Sequence, residues 1–506
     1  MATETSTSTS QQPPNGTGTG FLDRWFEITA RGSTVGREVR GGLVTFFTMA
    51  YIVALNPLII GTAPDQDGKL LGGLAYKDAA GQVISANVGH SITLVAGATA
   101  LVAGICTLAM GVIGRYPLGI ATGLGLNALL AFTIAPQMTW PQAMGLVVLE
   151  GIVIAILVLT GFRTAVFRAV TPSMRAAISV GLGLFIAFAG LFDAGVIRKP
   201  AGSTPVQLGV DGSLSGWPML VFAIGLFAVA ILHVRKVRGA ILISIVVATV
   251  VAVIIQAAAN LPAQGADAPT GWALNVPTVS HWISLPDLSL VGDVSVFGAF
   301  TAGASRILPL VMLVFALILS DFFDTMGTVV GVGAEGGLLD KDGNPPHLGP
   351  VLMVDALSAT AGGVGSVSSN TAFIESASGV GEGARTGLAS VVTGAAFLVA
   401  MFFAPLATIV PSEAAAPALV FVGFLMMSQV TKINWSNVEE GLPAFLTIIL
   451  MPLTYSITNG IGAGFIVLVV LKLSHGKAKQ IHPLLYVIAV AFLIYFLQGL
   501  ITHIIS

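Results

Sequence analysis

Fifteen apolar stretches, most near the length of a bilayer crossing, follow one another through this chain and restrict it to one kind of structure. At about 20 residues per crossing, the first set falls near 41–61, 92–113, 119–135, 142–161, 174–193, 218–234 and 239–259. A second set falls near 307–330, 349–364, 371–381, 385–404, 416–430, 442–456 and 459–473, and a last stretch covers 483–503. Runs of this kind read as transmembrane helices, so the expected fold class is an all-α polytopic membrane protein with the lipid bilayer as its solvent. Composition agrees. Only 9% of the 506 residues are charged and mean hydropathy is +0.91, whereas a soluble domain carries about 25% charge. A net charge of −2 gives nucleic acid no purchase. The one cysteine, Cys106, lies in an apolar run, and the seven histidines are scattered without ligand spacing. No disulfide, metal or cofactor is expected.

Residues 1–20 are rich in Ser, Thr, Gly and Pro and lack an apolar core, so they read as a disordered tail rather than a signal peptide. Arg24, Arg31, Arg37 and Arg40 precede the first span, which puts the N-terminus in the cytoplasm by the positive-inside rule. Basic residues recur where that topology needs cytoplasm: Arg115, then Arg163, Arg168 and Arg175, then Arg235, Lys236 and Arg238, then Lys472, Lys477 and Lys479. The longer loops 62–90, 194–217 and 260–306 would face outward.

Seven segments per half is an odd number, so the two halves would have opposite orientation, the pattern of an inverted-repeat transporter. The fifteenth segment spans, lies in the interface, or marks one helix counted twice at Met451-Pro452. Two segments are short and glycine-rich: Leu118 to Phe132, and Gly362 to Gly383. Each is third in its half, and matched broken segments point to a transporter's binding site. A broken helix supplies backbone N–H groups and a positive dipole end at mid-membrane depth. Ser366 to Ser369 read as extended, and Asn370 to Glu375 as the opening of a half-helix.

Away from span ends the charges are one-sided: Glu150, Asp321, Asp324, Asp355 and Glu375, with no lysine or arginine. A carboxylate at the centre of a span costs roughly 2.5–3.5 kcal/mol on insertion scales and usually faces a cavity, a partner or a solute. Asp321 and Asp324 stand three apart, which puts them on one helix face. Clustered intramembrane acids suit proton coupling. They disfavour an anionic solute and fit a neutral one rich in N–H donors.

At these residues the chain resembles the AzgA-like branch of the nucleobase–cation symporter-2 family, the adenine/guanine/hypoxanthine permeases. The resemblance is carried by GLGLN (123–127), SDFFDTMGT (320–328), GGLLD (336–340), IESASGVGEGARTGL (374–388) and LPAFLTIILMPLTYSITNGIG (442–462), and covers about 40–475. It implies fourteen helices in a 7+7 inverted repeat. The core would comprise 41–161 and 307–404, and the gate 174–259 and 416–473, with two short strands preceding half-helices beside the substrate. Segment 483–503 lies outside it. It also implies uptake of purine nucleobases with protons across a bacterial inner membrane, with no enzymatic activity; a homodimer is compatible with it. Residue by residue, Asp321 and Glu375 match substrate-contacting carboxylates, and Asn127, with Gly125 beside it, matches the polar position of the first half-helix. Asp324 matches the second acid of the eighth helix, implicated in transport and in protonation, a role Asp321 could share. Leu129 departs from the family's usual aromatic, which changes the packing behind the substrate.

Simpler readings compete. Asp321 and Asp324 could brace a helix break, Glu375 could cap a half-helix, and Asn127 could bind a neighbouring helix. Asp355 and Glu150 read as structural, and Arg385 as a topology anchor. Phe322 and Phe323 could stack on a purine or simply pack. Among other functions, an anion transporter of the sulfate or bicarbonate type on the same 7+7 architecture would want a neutral or basic site. An intramembrane aspartyl protease would want its acids on two facing helices, and a channel would want repeated polar rings. No GxxxxGK[ST] loop is present to use ATP.

Overall fold

A computed structural model describes residues 20–160, 170–200, 204–265, 268–278, 282–303, 306–340 and 345–505. Nearly all of the expected N-terminal tail, together with Arg163 and Arg168, lies outside the described residues, as does the side chain of Phe323. Among the described residues the apolar stretches are mainly helical, and two of them open on short strands. After a short surface helix α1 (Phe21–Phe26), the first span is made of α2 (Val35–Met49) and α3 (Ile52–Ile60), interrupted at Ala50 and Tyr51. Thr34 starts α2 by accepting a hydrogen bond from the Arg37 amide. Next come α4 (Ser85–Ala109), strand β1 (Ile120–Thr122), the half-helix α5 (Leu124–Leu129) and α6 (Trp140–Leu159). The first half closes with α7 (Pro172–Asp193), a small hairpin of β2 (Ile197–Arg198) and β3 (Gln207–Leu208), α8 (Trp217–Val234) and α9 (Ala240–Ala259).

The second half repeats the order. It runs through α10 (Ile307–Glu335), α11 (Leu348–Val364), β4 (Asn370–Ala372), the half-helix α12 (Ser376–Gly381), α13 (Gly387–Ala400), α14 (Ser412–Met427), α15 (Val438–Leu453) and α16 (Ile457–Ser474). Ten helices among the described residues are long and apolar enough to cross a membrane, and the two broken segments sit third in each half as expected. Residues 452–456 do not belong to one continuous helix: α15 and α16 are separate, turning at Tyr455 with φ of 51°. The fifteenth segment is a helix, α17 (Pro483–Ile505), packed on α16 and α10.

One local expectation needs correction. Ser366 and Ser368 are not extended; both take left-handed backbone angles (φ 55° and 78°). The strand begins later, at Asn370, and α12 begins only at Ser376. The left-handed turns reverse the chain between α11 and β4, allowing β4 to run antiparallel to β1. Ile120 pairs with Ala372, Ala121 with Thr371 and Thr122 with Asn370.

Helix packing falls into two sets. In one, α13 lies against α2 and α4, and α11 against α6 and α4. In the other, α7 lies against α14 and α15, α8 against α9 and α14, and α15 against α16. In lipid the gain comes from close van der Waals packing rather than hydrophobic burial, and glycine permits it where α4 meets α13. A Cβ on Gly394 would stand 2.7 Å from the Gly104 carbonyl oxygen, and one on Gly104 3.1 Å from that of Gly394. Glu38 on α2 fixes the start of α13 by accepting the amides of Arg385 (2.8 Å) and Thr386 (3.2 Å), an acid at a helix N-terminus.

Candidate functional site

The antiparallel β1–β4 pair sets the two half-helices side by side inside the first packing set. Its edges are held by side chains from three helices. Thr107 on α4 both donates to the Ile120 carbonyl and accepts the Ile120 amide (2.9 Å each). Ser376 at the start of α12 accepts the Gly119 amide (2.9 Å). Asn56 on α3 donates to Thr99 (2.8 Å) and to the Val367 carbonyl (3.1 Å). A buried strand pair this short would otherwise leave polar backbone atoms unpartnered, which costs about 1–3 kcal/mol each.

Glu375, immediately before α12, does not cap that helix with its side chain. Its carboxylate instead accepts a hydrogen bond from the phenol of Tyr51, the residue at the break between α2 and α3. The Glu375 carbonyl also lies 3.4 Å from the Thr48 hydroxyl, and Phe373 tilts against the Tyr51 ring at 6.4 Å. Asp324 stands within electrostatic reach of both Tyr51 and Glu375. It is exposed, as is Gly327 one turn along α10, and Ile374 beside Glu375 is 51% exposed. Asp324 of α10 and Glu375 of the second broken segment therefore lie together, with Asp324 at the exposed edge.

The other expected residues lie around this point. Asp321 is fully buried inside the helix packing, unlike Asp324. Phe322 is 2% exposed and belongs to the main apolar cluster. Asn127 on α5 is fully buried; its amide donates to Thr122 on β1 (3.0 Å), while its Oδ1 accepts no hydrogen bond among the described residues. Gly125 faces α7, where a Cβ would meet Leu182 at 3.5 Å. Leu129, at the position of the family's aromatic, is fully buried. The first amides of α12 bond back to the preceding turn, Ser376 N–H to the Phe373 carbonyl and Ala377 N–H to that of Ile374.

Asp355 and Glu150 brace the broken segment. Asp355 on α11 accepts from Thr325 (3.0 Å), whose hydroxyl meets that of Thr371 on β4 at 2.8 Å. Glu150 on α6 accepts from Ser369 (3.2 Å). Little in the sequence distinguishes Tyr51, Thr325 and Thr371. A tyrosine in an apolar span is ordinary, and the one signal for Tyr51 was its place within a segment that proved to be two helices.

Comparison with known proteins agrees with this architecture. A family model described as "Permease family" matches residues 36–463. The guanine/hypoxanthine permease PbuG of Bacillus subtilis (strain 168) is 36% identical over 479 residues, covering 94% of this chain and 99% of that protein. The adenine permease AdeP of Escherichia coli (strain K12) is 34% identical over 481 residues, 94% of this chain and 96% of that protein. Among solved structures, the transmembrane domain of a cyanobacterium bicarbonate transporter, BicA, superposes with a TM-score of 0.56 at 15% identity, over 85% of this chain and 96% of that one. At that identity the likeness concerns the fold, a 7+7 inverted repeat. The chain is a membrane transporter, not an enzyme, and belongs to the Permease family.

Proposed function

We propose that this protein carries purine nucleobases (adenine, guanine or hypoxanthine) inward with protons across a bacterial cell membrane, its N-terminus in the cytoplasm. One observation carries the site: Tyr51, Glu375 and Asp324 lie together beside two half-helices, with Asp324 at the exposed edge. A purine offers ring N–H groups that a carboxylate accepts. Glu375 and Asp321 take those donors, with Asp321 becoming accessible as the helices shift. Asn127 Oδ1, without a hydrogen bond among the described residues, accepts an exocyclic or ring N–H of the base, and its amide holds Thr122. Proton exchange at Asp324, which faces the open side, licenses the movement. The names of the relatives, permeases for guanine, hypoxanthine and adenine, support the same reading.

The two packing sets supply the moving parts: α2 to α6 with α10 to α13 form the core, and α7 to α9 with α14 to α16 the gate. Alternating access follows from one sliding against the other around the site. The anion-transporter reading shares this fold, but a cluster of acids without an intramembrane base repels an anion. Substitution tests the assignment. Glu375→Gln and Asp321→Asn should each abolish uptake of labelled hypoxanthine while membrane abundance stays normal; full uptake in either variant removes that residue from the site.

A further inference from the structure

A cavity of about 920 Å³ opens beside the end of α7 and the turn that follows α5, and Glu375 is not part of its wall. Its wall includes Asp193 at the end of α7, Tyr76, Arg198, Phe132 and Tyr455. Its floor is a knot of rings: Tyr455 packs edge-on against Phe132 (5.5 Å), Phe185 (5.3 Å) and Phe188 (6.0 Å). Phe132 follows α5 by three residues and sits in a π-helical turn, Leu130–Ile134, of the kind that often marks functional positions. Phe185 and Phe188 belong to α7, and Tyr455 to the turn between α15 and α16. The knot thus joins the first half-helix to both parts of the opposite packing set. Thr133 adds a contact at 3.4 Å to the Tyr455 carbonyl. Asn127 lies only five residues before Phe132, so the cavity floor and the inner site are about a turn and a half of helix apart.

The charged lining comprises Asp65, Asp193, Arg198, Lys199 and Asp211, of which Asp65 is taken up by the Lys69 and Trp140 amides. Arg198 spends its guanidinium on the carbonyls of Gly195 (2.8 Å) and Pro269 (2.6 Å). Asp193, by contrast, makes no hydrogen bond or ion pair among the described residues, though the phenols of Tyr76 and Tyr455 lie within electrostatic reach. A carboxylate able to accept N–H donors therefore stands among aromatic faces, in a space larger than a bicyclic base requires. We propose that this vestibule is a second, outer binding site for the same flat N–H-bearing heterocycle, with Asp193 accepting ring N–H groups and Tyr455 and Phe132 stacking on the ring. The proposal rests on the purine reading for its ligand. The ring knot beneath it separates outer from inner site in the present conformation, and the base passes when Tyr455 and Phe132 part as the helices slide.

The test reads the outer site with the inner one disabled. Cys106 is buried, so Cys106→Ala gives a cysteine-free background into which Val210→Cys places a single thiol on the cavity wall. Intact cells carrying Glu375→Gln are then labelled with a membrane-impermeant maleimide. Hypoxanthine should slow labelling with half-effect at roughly millimolar concentration, the affinity of a few contacts. Adding Asp193→Asn should remove that protection, and Asp193→Glu should restore part of it at equal membrane abundance. In otherwise native protein, Asp193→Asn should raise the KM for uptake several-fold and leave the maximal rate within about twofold, the signature of lost ground-state binding. Absence of protection by hypoxanthine, or protection by sodium alone, overturns the outer site and leaves the inner one standing. Retained uptake in Glu375→Gln counts instead against the inner site, while protection of Val210→Cys still reports on the vestibule.

Discussion

Among single residues, Tyr51 changes the account most. Its phenol holds the Glu375 carboxylate at the point where α2 gives way to α3, so it positions the acid rather than merely filling a span. A hydrogen bond to a charged group is worth about 1.5–3 kcal/mol. Tyr51→Phe should therefore cut uptake about tenfold or more without lowering membrane abundance; a variant within twofold of native would show that Glu375 needs no such partner. Asp324 is the exposed acid of the pair on α10. Asp324→Asn should flatten the dependence of uptake on external pH more than it lowers uptake at the optimum. An unchanged pH profile removes it from proton transfer. The acids themselves were legible in the sequence because charge inside a span is costly and seldom kept without use. Their difference in exposure was not, because i, i+3 spacing fixes a shared face but not where that face meets a cavity edge.

For the helices and strands, hydropathy located the spans and glycine-rich shortness located the two broken segments. The register of β1 against β4 could not be read, since three-residue strands show no alternation and their pairing is set by Thr107, Asn56 and Ser376 from elsewhere in the chain. The left-handed turns at Ser366 and Ser368 were hidden for a related reason: serine is not a residue that advertises positive φ. Glycine at helix contacts makes a sharper prediction. Gly394→Val should force α13 from α4, where even a Cβ would lie 2.7 Å from a carbonyl oxygen, and overpacking of this sort costs about 1–3 kcal/mol. Gly381→Ala, with nothing within 4 Å of its Cβ, serves as the control. Thermal denaturation in detergent should separate the two variants by several degrees, and equal melting would mean that the α4–α13 contact yields.

Across the whole molecule, polar contacts as well as apolar packing join the two packing sets. One joins them on the arginine-bearing face: Glu382, just past α12, pairs with Arg40 of α2 at 2.8 Å and with Arg238 between α8 and α9. Arg238 is 57% exposed, and ion pairs of that kind contribute about 0–1 kcal/mol. Arg238→Ala should accordingly change uptake less than about fivefold; complete loss would mark this contact as a necessary latch. The broad architecture was readable from the sequence because a bilayer allows so few solutions, whereas which helices move together depends on packing that no single span encodes. Proton-driven purine transport is tested in a bacterial strain lacking its own purine transporters. Uptake of labelled hypoxanthine, adenine, guanine, uracil and xanthine is measured at two external pH values, with and without a protonophore. Purine uptake that rises at the lower pH and collapses with the protonophore is the predicted result, whereas no uptake of any base, with the protein present in the membrane, would contradict it.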